Sequence, residues 1–171
     1  MGRLNIDALS TIVGLKHLAL HIDGRKEPVD FARFPDLETL SFSYRTGDCG
    51  FECLDRLHWI SLWKYKRDTS LREPWLRLPS SIRTLELISS SVENLDLLYP
   101  SETLERLKVA RFRKLEALPD LAHLFPRLNH LWFEASGRLS VDEVNRATKE
   151  CRDLEFLCLG KNVLISAMSS N

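Results

Sequence analysis

Residues 57–66 read LHWISLWKYK. Ile60 and Leu62 alternate with Trp59, Ser61 and Trp63, the period of a strand with two unlike faces. One face carries two aliphatic side chains and the other two tryptophans. Ten residues do not say which face is the core.

The rest of the chain does. The pattern apolar-x-x-apolar-x-apolar recurs as LKHLAL from Leu15, LETLSF from Leu37, LHWISL from Leu57, IRTLEL from Ile82, LERLKV from Leu104, LNHLWF from Leu128 and LEFLCL from Leu154. Successive intervals are 22, 20, 25, 22, 24 and 26 residues, a period that marks a repeat architecture. Phe-Pro or Leu-Pro stands just before several of these stretches, as in FARFPDLETL, LPSSIRTL and LFPRLNHL, where proline ends any helix. The longest interval holds SVDEVNRATKEC. Its Ser140-x-x-Glu143 spacing is that of a capping box. Val141, Val144, Ala147 and Cys151 follow as one apolar helical stripe.

Over residues 15–160 the chain resembles the leucine-rich repeat family, whose unit is a short strand plus a return segment. The resemblance implies an α/β solenoid, a curved horseshoe with about seven short parallel strands on its concave face and helices or turns on its convex face. One departure concerns the asparagine that follows the strand in that family. Here the position holds Asp23, Arg45, Tyr65, Ser90, Phe112, Ser136 and Asn162, so irregular turns are expected. A single domain over 1–171 follows, with 1–14 as a cap or partial repeat and 161–171 as a C-terminal cap or tail. LNIDALSTIVG reads equally as a shortened opening repeat or a helical cap.

Composition is that of an ordinary folded chain: 171 residues, 44% hydrophobic, 28% charged, with 24 Lys+Arg against 24 Asp+Glu. A neutral balance gives no global field for nucleic acid or an anionic membrane. No secretory leader or spanning run is apparent, so a cytoplasmic setting is expected, with Cys49, Cys53, Cys151 and Cys158 as free thiols.

The repeat register assigns faces. Pattern leucines point into the core, and residues two, four and six past each start point the other way. Three tryptophans, Trp59, Trp63 and Trp132, fall on that second face beside Glu86, Arg106, Lys108, His130, Glu134 and Phe156. Trp and Arg dominate protein-interface energetics, so these nine residues are the candidate partner-binding set. The bland alternative is that Trp59 and Trp63 pack beneath another part of the chain, and that Glu86 and Lys108 simply pair with each other. RLKVARFRK at 106–114 is locally basic, with Phe112 between charges; it reads first as a solvated strand-to-loop edge, next as a match for an acidic protein surface, and last as a contact for nucleic acid.

Chemistry-bearing patterns are weak. Cys49-x3-Cys53 with His58, and His17 with His21, lack the full ligand set of a structural zinc. His130, Cys158 and Glu134 are close in register, but no oxyanion loop accompanies them. No phosphate-cradling Gly-rich loop is present. Neither cofactor nor catalysis is expected.

The family resemblance implies a binding platform. The texture of SLWKYKRDTSL and LPSSIRTLELISSSVENLDLL resembles small bacterial leucine-rich-repeat proteins, some of which are immunity proteins that block a cognate toxin. The expected function is non-catalytic recognition of a partner protein, without nucleic acid or membrane. The alternatives are an adaptor fragment of a larger assembly and, more distantly, a cysteine-dependent enzyme.

Overall fold

In the computed structural model, residues 9, 11–22, 24–66 and 76–166 are described. Eight strands form one sheet in chain order: β1 (His17–Leu20), β2 (Thr39–Ser43), β3 (Trp59–Trp63), β4 (Thr84–Ile88), β5 (Arg106–Ala110), β6 (His130–Glu134), β7 (Phe156–Leu159) and β8 (Asn162–Ser166). β1 to β7 are parallel. The fold is α/β, with one mostly parallel sheet and few helices.

Register follows the sequence intervals without slippage. His17, Thr39, Trp59, Thr84, Arg106, His130 and Phe156 form one row across seven strands. Each strand places alternate residues on the covered face, including Leu40 and Phe42, Ile60 and Leu62, Leu85 and Leu87, Leu107 and Val109, and Leu131 and Phe133, all at most 1% exposed. The pattern starts Leu37, Leu57, Ile82, Leu104 and Leu128 form another buried row, with Leu15 and Leu154 partly buried at its ends. Because the side-chain period is two, a one-residue slip would put every such side chain on the wrong face.

Return segments cover that face. Short 3-10 turns at Phe31–Arg33 and Phe51–Cys53 bring Phe31 and Phe51 against Phe42, with centroids 4.5 and 5.8 Å away. Later returns use α1 (Leu121–Leu124) and α2 (Val141–Thr148). Before each of several strands a tight turn closes, as in Leu37 N–H to Phe34 O (3.2 Å) and Ile82 N–H to Pro79 O (3.1 Å).

A second recurring turn leaves the strands. Lys64, Ser89, Arg111 and Ala135 each follow a strand directly and have φ of 58°, 58°, 61° and 49°. Left-handed backbone is costly for residues with a Cβ. For the first three, the N–H donates to the last carbonyl of the next strand: Ile88, Ala110 and Glu134, at 2.7–2.8 Å. That bond holds the chain in the strained turn while the next residue is directed inward. Tyr65, Ser90, Phe112 and Ser136 are accordingly buried. In place of an amide ladder, Ser90 Oγ donates to Tyr65 O (2.7 Å) and Ser136 Oγ to Val109 O (3.4 Å).

Some expectations need correction. Within the segment expected as a cap or tail, β8 pairs antiparallel with β7 across a Gly160-Lys161 turn. Gly160 sits at φ 65°, suited to a two-residue hairpin. In α2, Ser140 caps Glu143 N–H (3.1 Å) as expected. Glu143 does not complete the reciprocal box, however. Its carboxylate takes the Leu118 N–H at 2.7 Å and the Arg146 guanidinium at 2.7 and 2.8 Å. Val141 is 43% exposed and leaves the apolar stripe, while Val144 and Ala147 are buried. The expected opening cap falls mostly on 1–8 and 10, outside the described residues.

Candidate functional site

All nine candidate residues lie on the face opposite the packed core, but they do not share one environment. At the β1–β3 end the polar groups bond to each other. His17 Nδ1 meets Thr39 Oγ1 at 2.9 Å. His21 reaches over β2, with Nε2 at 2.7 Å from Ser41 Oγ and Nδ1 at 3.3 Å from Ser43 Oγ. Burial, and secondarily the Lys64 charge, hold the His21 imidazole below its ordinary pKa. It is therefore neutral near pH 7 and can donate from one nitrogen while accepting at the other.

Trp63 belongs to the same cluster. Its ring meets His21 edge-on at 5.2 Å, and its indole N–H donates to Ser61 Oγ at 3.1 Å. Trp59 and Trp63 are half-buried, and Ser61 between them is 2% exposed. Both tryptophans thus face outward as the register predicts, yet they are not freely presented.

The β5–β7 end is different. Trp132 is 42% exposed. Lys108 Nζ lies 5.0 Å over its ring, and Phe156 tilts against it at 6.0 Å. Phe156 also stacks on His130 at 5.9 Å, and His130 Nδ1 bonds Asn129 Oδ1 at 2.8 Å. Lys108 pairs with Glu134 at 3.4 Å, not with Glu86. The bland alternative, a Glu86–Lys108 pair, does not form, although the two are register partners. Such a pair contributes at most about 1 kcal/mol at a surface, so competition from Trp132 and Glu134 is enough to redirect the lysine. Glu86 and Arg106 make no ion pair among the described residues.

The basic run divides by face. Arg106 and Lys108 lie on the open sheet, whereas Phe112 is 1% exposed in the core and cannot stack on a base. Arg111 and Arg113 are exposed, and Lys114 approaches Glu93 at 3.7 Å.

The four cysteines are free thiols, Cys49 and Cys53 exposed, Cys151 half-buried and Cys158 buried. Cys158 is buried opposite Trp132 in register and donates to Gly160 O at 3.5 Å, while His130 is engaged by Asn129. No Cys–His hydrogen bond joins them. Burial, with a contribution from Asp120, pushes the Cys151 thiol up to about 11. Burial likewise raises Cys49, with nearby acids adding to it. Among the described residues no group of three His, Cys, Asp or Glu side chains could hold a metal ion. No described helix is long and apolar enough to cross a membrane.

Sequence periodicity missed one polar constellation. Asp48, with a fully buried side chain, accepts two bonds from Arg25, at 2.6 and 2.8 Å, and one each from Val29 N–H and Arg45 N–H, both 2.8 Å. The available signal was a lone Asp in a Gly-flanked turn, which is too common to single out.

No family model matches the chain, and no curated protein or solved structure matches it.

Proposed function

We propose that this chain is a leucine-rich-repeat solenoid that recognises a partner protein, without catalysis, through the open face of its sheet. The carrying observation is the cluster at β5–β7: an exposed Trp132 flanked by Lys108 and Phe156, beside an Arg106 that makes no ion pair among the described residues. Aromatic and arginine side chains at the centre of a patch are the groups that dominate interface energetics. His130, Glu134 and Glu86 would frame the patch. Trp59 and Trp63 would extend it only weakly, because their own neighbours already engage them.

The chemistry suits an acidic surface that offers an apolar side chain to Trp132 and Phe156 and carboxylates to Arg106 and Lys108. A toxin blocked by an immunity-type protein is the partner class proposed, and a protein encoded beside the chain is the first to test. With a photo-crosslinking residue at position 132, the native partner can be trapped and then purified. Trp132→Ala should weaken binding about 30-fold, roughly 2 kcal/mol, with an unchanged melting temperature. Undiminished affinity in both Trp132→Ala and Arg106→Ala would remove this face from the function.

A further inference from the structure

We propose that β8 is the interface of a two-fold homodimer, in which the β8 strands of two copies pair antiparallel and join their sheets edge to edge. β8 ends the sheet, with β7 on one side and no strand on the other among the described residues. Its sequence is NVLIS, Asn162–Ser166. Apart from the β7 ladder, no hydrogen bond among the described residues reaches it. Its outer row of backbone N–H and C=O groups is therefore open.

An open edge is a template for a further strand, and natural sheets blunt it with lysine, proline, bulges or a covering segment. β8 holds no charged residue and no proline. Val163 and Ile165 are 55% and 41% exposed, while Leu164 between them packs against the core. The one irregularity in its ladder is a register shift at Leu157 and Cys158, on the side that faces β7. Uncharged, β-branched residues favour a paired strand over a solvated one.

The composition selects a second copy of the chain as the occupant. A two-fold axis at the edge sets a strand against itself, and a strand related to itself in this way runs antiparallel. Centring the axis on Leu164 lets all five residues pair. Leu164 then meets Leu164 of the second copy, and Val163 meets Ile165 of the second copy on both sides of the axis. No like charges are opposed, and β-branched side chains stand across from each other, which favours pairing. Each copy has one such edge, so the assembly closes at two. Five residues a side are fewer than the 20–30 of a standard interface, so the dimer belongs to the weak class. Pairing in the plane of the sheet leaves Trp132 uncovered in both copies, so this inference goes beyond the partner-binding reading and does not rest on it.

Sedimentation velocity of the full chain from about 1 μM to about 1 mM should show monomer passing to dimer, with no larger species. Val163→Lys and Ile165→Glu should each raise the dissociation constant about ten-fold, with an unchanged melting temperature. Mixed one to one, the two variants should regain the dimer, because the axis opposes the two introduced charges. Trp132→Ala, which tests partner binding, should dimerise like the parent chain, so the two proposals fail separately. A monomer at every concentration would overturn this one. So would a dimer that neither charge weakens, or a mixture no more dimeric than either variant alone. A dimer that forms only once residues 167–171 are removed would also overturn it, by making that segment the occupant of the edge.

Discussion

The two ends of the open sheet face are built from the same strand pattern and end in opposite states. Over β1–β3, His17, His21 and Trp63 spend their polar atoms on Thr39, Ser41, Ser43 and Ser61. Over β5–β7, Trp132 stands exposed and Arg106 has no ion-pair partner among the described residues. Identical backbone register therefore does not dictate whether a face is internally satisfied. What decides is whether the next strand offers a short hydroxyl, as β2 does, or a long side chain that projects past its neighbour, as Arg106 and Lys108 do. A face that closes on itself stabilises the fold; one that does not is free to bind.

The largest effect expected from this contrast lies at the amino-terminal end. Asp48→Ala leaves the Arg25 guanidinium buried and unpaired, and should cost about 3–5 kcal/mol in chemical denaturation. Partner affinity at the β5–β7 patch should be untouched in the fraction that stays folded. Trp63→Ala should cost about 2 kcal/mol of stability, because a half-buried ring and its bond to Ser61 are lost. Trp132→Ala should cost less than about 0.5 kcal/mol, as exposed substitutions do. Equal losses at the two tryptophans would erase the distinction between the ends.

Smaller effects sharpen it on the covered side. Glu143→Gln should destabilise by about 1 kcal/mol, since it weakens the bonds from Arg146 and Leu118 N–H. The Arg146 hydrogen bond first, and the Leu118 N–H after it, hold the Glu143 carboxyl below its ordinary value of 4.5. The folded value is thus the lower one. Its stabilisation is fully present above pH 4.5 and is lost as pH falls through the folded value. A melting curve followed against pH should fall less steeply there in Glu143→Gln. Ala135→Gly should gain about 0.5–1 kcal/mol by relieving a left-handed residue at φ 49° that no longer needs a Cβ.

How much of this was written in the pattern can be told from particular residues. Leu37, Leu57, Ile82, Leu104 and Leu128 placed the strands, their order and their core faces, because a period-two face repeated at similar intervals leaves one register. The nine candidate residues were put on the correct side for the same reason. Their exposure was not legible. Trp63 and Trp132 lie on the same face by alternation, yet Trp63 is half-buried with His21 against its ring and its N–H on Ser61, while Trp132 stays 42% exposed beside Lys108 and Phe156. Lys108 had two acids in range, and a difference below about 1 kcal/mol chose between them. Asp48, Arg25 and Glu143 act through contacts far apart in sequence, which no periodicity encodes. The left-handed residues after β3, β4, β5 and β6 escaped because Lys64, Ser89, Arg111 and Ala135 share no side-chain chemistry. The β7–β8 hairpin carried a Gly160-Lys161 signal that a repeat-based cap-or-tail assignment passed over.

That hairpin has a consequence for assembly. A stack of parallel strands presents at its final strand the same edge that every earlier strand offered its successor, so a second copy could in principle continue the sheet with its own β1 and grow a filament. Running β8 backwards along β7 fills that edge with a strand of the wrong polarity. Another copy can extend the stack in parallel from β7 only by first peeling β8 away. The reversed strand therefore ends the parallel order of the sheet at that end and leaves an edge of opposite polarity in its place.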